Sequence, residues 1–138
     1  MPHISESQFT ERFVTMATAG RDLPKRPLDL HILLISASLG LDPDRTYSEP
    51  EVNEELSKWS ARFGGDLGMD HVTLRRLLVD ERYLSRDPAG VAYRLQTAER
   101  PYTFDPSIRT LDLEGLIDEE RRARAERKRL HSERKIGE

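Results

Sequence analysis

From Arg45 to Gln96 the chain reads, in order, as a short strand, a capped helix, a turn, a second helix and a β-hairpin. This order constrains the fold more than any other feature. Thr46 and Tyr47 are strand formers at one edge of it. Ser48-Glu-Pro-Glu51 is a helix start: Ser48 can cap, Glu51 can reach back to the cap N–H, and Pro50 is tolerated in a first turn whose N–H groups have no helical partner. Val52, Leu56, Trp59 and Phe63 then recur at i, i+4, i+7 and i+11, one apolar stripe of an amphipathic helix, with Asn53, Glu54, Ser57 and Lys58 facing outward. Gly64-Gly65 ends the pattern. Asp70 can cap a further helix over residues 71–82, with Leu74, Leu77, Leu78 and the following Leu84 on its buried side. Residues 83–87 and 91–96 read as two strands joined by the turn Asp87-Pro-Ala-Gly90.

Such an order is that of a winged helix-turn-helix, in which the second helix lies in the major groove and the hairpin touches the DNA backbone or minor groove. The fold class expected is therefore α+β. A winged-helix core spans residues 23–96, an N-terminal helix precedes it within residues 1–22, and a strap and charged helix or tail follow over 97–138. Phe9, Phe13 and Met16 form the stripe of the N-terminal helix, with Ser5 or Ser7 as cap. Leu28 to Leu39 is apolar nearly all round, as a central core helix should be. Pro101 and Pro106 mark an extended strap. Asp112 can cap the last helix, which Leu113, Leu116 and Ile117 anchor. The expected core includes Leu33, Val52, Leu56, Trp59, Leu74, Leu77 and Leu84.

The candidate reading helix offers His71, Thr73, Arg75 and Arg76 at its N-terminal end, and the hairpin offers Arg86 and Arg94. Arginine can contact guanine bidentately, and threonine or histidine can reach bases or phosphates. Residues 71–96 hold five arginines against Asp80, Glu81 and Asp87, a balance of +2. The preceding helix is acidic, with Glu49, Glu51, Glu54 and Glu55. The alternative is a solvated face in which Arg76 pairs with Asp80 at i, i+4. The turn over Gly64 to Met69 is six residues, longer than the three or four of a compact unit. Net charge over all 138 residues is -3, so any nucleic-acid role rests on local asymmetry.

The second candidate site is the basic segment from Arg121 to Lys135, eight Arg or Lys against two Glu. Arg121, Arg122, Arg124, Arg127, Lys128, Arg129, Arg134 and Lys135 can neutralise phosphates on DNA or RNA, or meet an acidic protein. Equally, Asp118 with Arg122 and Glu120 with Arg124 stand in the favourable i, i+4 order of a salt-bridged helix. No bulky apolar face accompanies the charge, so no membrane role is expected.

The residue pattern resembles an uncharacterised bacterial family, the domain of unknown function number two thousand and eighty-seven. The resemblance covers about Leu23 to Leu95. Its carriers are L23-PKRP, the R45-TYSEPEVNEEL run, D70-HVTLRRLLVD with Tyr83-Leu84, and the R86-DPAGVAYRL hairpin. It implies a small winged-helix domain with a transcription-related role and no known catalytic residue. The strap and basic tail fall outside it.

Enzyme signals are absent. His3, His31, His71 and His131 are scattered, without the H-E-x-x-H spacing of a metal site. There is no nucleophile elbow or phosphate loop, and Gly64-Gly65-Asp66-Leu67-Gly68 does not fit the dinucleotide fingerprint. Asp66, Asp70 and His71 are near one another in sequence, but a helix cap is the better role for Asp70. No cysteine is present, which excludes disulfides and thiolate chemistry and fits a reducing cytosol. MPHISESQF lacks the basic and apolar regions of a secretory signal, and the longest apolar run, about six residues around Ile32 to Ile35, is far below the roughly 20 needed to span a bilayer. A cytoplasmic protein without catalytic centre, metal or cofactor is expected. The leading reading is a DNA-binding or transcription-associated regulator. The alternative is a protein-interaction module on the same scaffold.

Overall fold

The computed structural model describes residues 2–137, with side chains through Arg134. The Lys135 side chain assigned to the basic segment therefore lies outside the described residues. A short strand β1 (His3–Ile4) leads into α1 (Glu6–Ala19), capped by Ser5, whose hydroxyl accepts from the Gln8 N–H. Next, α2 (Pro27–Ser38) starts on a proline pre-set for the first helical turn and buries almost all of its length, as its unbroken apolarity requires. Strand β2 (Tyr47–Ser48) runs directly into α3 (Glu49–Trp59). Ser48 thus ends the strand and caps the helix. Its hydroxyl accepts from the Glu51 N–H at 3.3 Å, and the Glu51 carboxylate accepts from the Ser48 N–H at 2.9 Å.

The helix does not stop at Gly64-Gly65 by simple breakage. It widens into a π turn, Ser60–Gly64, before the loop to α4 (His71–Asp80). Gly64 is needed there: a Cβ at that position would lie 2.7 Å from the Trp59 ring and 2.9 Å from the Met69 carbonyl. The hairpin β3 (Leu84–Arg86) and β4 (Ala92–Leu95) joins β2 in an antiparallel sheet of order β2-β4-β3. The order expected from sequence, strand, capped helix, turn, helix and hairpin, is therefore present. The mixed helical and sheet architecture is α+β.

The α4 end has a backbone reason to turn into the hairpin. Arg82 takes φ +66, and the Tyr83 and Arg82 N–H groups donate to the Leu78 and Val79 carbonyls. That is a Schellman cap with arginine in the place usually held by glycine.

The strap is less irregular than its prolines suggest. It forms β5 (Thr103–Phe104), parallel to β1, and a 3-10 turn, Pro106–Thr110, before α5 (Leu113–Gly137). The tail segment is thus helical through Gly137. One hydrophobic cluster collects Ile4, Phe9 and Phe13, the α2 leucines and isoleucines, Trp59, Leu74, Tyr83, Ile108 and Ile117. The N-terminal helix and the strap therefore share the core of residues 23–96. Of the expected core residues only Leu77 departs: it is partly buried against the cluster, because Leu74 and Leu78 take the inward positions of α4.

Candidate nucleic-acid interface

Helix α4 and the β3–β4 hairpin enclose an open groove of about 630 Å³ whose walls include Arg75, Arg76, Val79, Asp80, Arg86 and Tyr93. Strand register explains which hairpin residue reaches it. Arg86 lies opposite Tyr93, and Leu84 opposite Leu95, on the face turned to α4. Arg94 lies opposite Ser85, one residue out of phase, and so projects from the other face. The structure therefore brings Arg76 and Arg86 to one groove and leaves Arg94 on the far side of the hairpin.

Arg75 is not directed outward. Its guanidinium donates to Asn53 Oδ1 and pairs with Glu49 at 3.2 Å, and its side chain is only 17% exposed. The acidic character of α3 is thereby used to tie α3 to α4. Arg76 and Arg86 have no carboxylate partner among the described residues, and Arg76 does not pair with Asp80. The Arg86 guanidinium rests beside the turn, where a Cβ on Gly90 would come within 3.7 Å of its Cζ.

His71 and Thr73 occupy the first turn of α4 and are half-buried. The helix N-terminus is already satisfied: Asp70 accepts from the Thr73 N–H at 2.7 Å, and the bonds from Thr73 hold its carboxyl below the usual aspartate range. Asp87 plays the same part in the hairpin turn. It accepts from the Ala92 and Val91 N–H groups, at 3.1 and 2.8 Å, which also lower its pKa. Both carboxylates are ionised at neutral pH, and Asp87 tempers the nearby Arg86.

In α5 the basic residues divide into two sets. Arg124 and Arg127 both bond Glu120, at 2.9 and 3.2 Å, and Arg129 bridges Glu126 and Glu133. Arg121, Arg122 and Lys128 have no carboxylate partner among the described residues, so the expected Asp118–Arg122 pair is not formed. Sequence reasoning found every arginine here but not the pairing of Arg75. The signal available for it was the acidic run of α3, one helix earlier.

Residues 21–95 match a family described as an uncharacterized protein conserved in bacteria, DUF2087. The chain belongs to this family. The match includes α2, β2, α3, α4 and the hairpin, hence the whole groove, whereas β1, β5 and α5 lie beyond it. No curated protein and no solved structure is significantly similar to the chain. DUF2087 is thus carried here with an N-terminal helix and a C-terminal helix packed on it. Among the described residues, no helix is long and apolar enough to cross a membrane, and no group of three or more His, Asp or Glu is placed to hold a metal ion.

Proposed function

We propose that this chain is a DNA-binding, transcription-associated regulatory protein of winged-helix type. Helices α2, α3 and α4 would form the helical core, with α4 as the helix presented to the duplex and β3–β4 as the wing. The observation that carries this reading is the groove between α4 and the hairpin, flanked by the unpaired guanidinium groups of Arg76 and Arg86. Two cations on one concave edge, neither in an ion pair although Asp80 and Asp87 also line it, suit the phosphate backbone. In this reading Arg76 and Arg86 bind phosphates, and His71 and Thr73 are nearest the base edges. Arg94 contributes from the outer face of the wing. Arg75 braces α4 against α3. The unpaired Arg121, Arg122 and Lys128 of α5 supply a second, sequence-blind contact. Replacing these three with glutamine should weaken binding to all DNA sequences alike, and unequal losses would count against that division.

A second reading, a protein-interaction module, draws on a different observation. Val72 on α4 and Val91 at the hairpin turn are 41% and 61% exposed. Exposed apolar residues beside a partly neutralised surface suit a protein partner better than a phosphate backbone. Salt separates the two: DNA binding falls steeply with ionic strength, while association through Val72 and Val91 should change little.

A further inference from the structure

The strap carries two more arginines without carboxylate partners, and they converge on one ring. The Arg100 and Arg109 guanidinium groups lie 5.7 and 5.4 Å from the centroid of Phe104. Arg100 is half-buried. Its Nε donates to the Gln96 carbonyl, which fixes the guanidinium and leaves both terminal nitrogens without a bond among the described residues. Arg109 makes no side-chain hydrogen bond or ion pair among them either. Both line a cavity of about 430 Å³ together with Thr97, Glu99, Tyr102 and Thr103. Glu99, the only acid in that wall, is not within ion-pair distance of either arginine.

Burial, followed by repulsion from Arg109, lowers the Arg100 pKa. Both costs are relieved by an anion lodged between the two groups. Phe104 offsets part of the cost by cation–π contact, which holds the guanidinium groups in place without neutralising them. A site held charged, fixed and unneutralised is prepared for an acceptor with several oxygens.

We propose that Arg100 and Arg109 form a binding site for a small phosphorylated ligand, with the phosphate clamped between them and Phe104 holding the two guanidinium groups. The site lies outside the stretch shared with DUF2087 and on the β1–β5 sheet, away from the α4 groove. It does not depend on the proposed DNA binding.

Pyrophosphate serves as the probe, titrated at constant ionic strength against the full chain. It should raise the melting temperature of the parent, as any ligand selective for the folded state does. The Arg109→Gln change removes an exposed charge that makes no hydrogen bond or ion pair among the described residues. It should weaken apparent pyrophosphate affinity about tenfold, the scale of one lost charged hydrogen bond. Arg76→Gln should leave the affinity unchanged. Arg100→Lys keeps the charge but loses the fork, and should also weaken binding. The proposal is overturned by any of three results: no response of the parent, an equal response of Arg109→Gln, or an equal loss in Arg76→Gln. It is also overturned if Arg109→Gln impairs binding of a duplex oligonucleotide but not of pyrophosphate, since the arginines would then grip a nucleic-acid backbone.

Discussion

Arg75 Nη1 sits 3.2 Å from Glu49 Oε1, joining the second turn of α4 to the first turn of α3. An arginine placed by sequence on the reading face of a helix is therefore a brace between helices. Its bond to Asn53 completes the tie; the Arg75 side chain is largely buried, while Glu49 stays about half exposed. Arg75→Ala should cost about 1.5–3 kcal/mol in urea denaturation, the scale of a hydrogen bond to a charged group. It should alter DNA affinity far less than Arg76→Ala. A variant as stable as the parent but deficient in DNA binding would return Arg75 to the contact surface.

The capping box at Ser48 holds the entry to α3 and the end of β2 together. Ser48→Ala should lower stability by roughly 1 kcal/mol. The bonds from Ser48 and then Arg45 hold the Glu51 carboxyl below its usual range. A carboxylate lowered on folding stabilises above its unfolded pKa, and the contribution is lost as pH falls through the folded value. Glu51→Gln should also lower stability at neutral pH, and its deficit should shrink in strong acid. A deficit that is constant from neutral pH into that range would mean Glu51 takes no part.

Trp59 packs against the core and donates from Nε1 to Ser36 Oγ at 2.9 Å, joining α3 to the buried α2. Trp59→Ala should cost about 3–5 kcal/mol by thermal or chemical unfolding. A melting temperature within a degree or two of the parent would refute this packing.

His31 is buried on α2 beneath the α4–β3 junction. Its Nδ1 lies 2.7 Å from the Tyr83 hydroxyl and its Nε2 3.4 Å from Glu81, and its ring packs on Tyr102. Burial lowers its pKa from the ordinary 6.5, opposed by Glu81. The unfolded chain therefore binds the proton more readily, and stability falls as pH drops from 6.5 through the folded value. Unfolding free energies at pH 7.5 and 5.5 should differ more for the parent than for His31→Gln. Equal differences would show that His31 does not carry this dependence.

What was legible in the sequence is what depends on near neighbours. The Ser48–Glu51 box, the Asp70 cap, the Val52–Leu56–Trp59 stripe and the Asp87–Gly90 turn each follow from residues within a few positions. What was not legible depends on distant ones. The pairing of His3–Ile4 with Thr103–Phe104 joins segments about a hundred residues apart, each too short to show a strand period. The burial of Arg75 depends on Asn53 and Glu49 in another helix. The arginines about Phe104 meet only because the strap returns to β1. For the groove, the sequence named Arg75, Arg76, Arg86 and Arg94 as candidates alike; that Arg76 and Arg86 line one groove, and that the hairpin register turns Arg94 away, are properties of the folded sheet.

The central claim is that the α4–hairpin groove binds DNA through Arg76 and Arg86. Fluorescence anisotropy of labelled mixed-sequence duplex at two salt concentrations, with the parent and the Arg76→Gln/Arg86→Gln double variant, tests it most directly. The parent should bind at low salt and lose affinity as salt rises. The double variant should bind more weakly, and its log–log salt slope should be shallower by roughly two, one for each phosphate contact removed. No binding by the parent at low salt, or a double variant with the parent's affinity and slope, would contradict the account and leave the protein-interaction reading in its place.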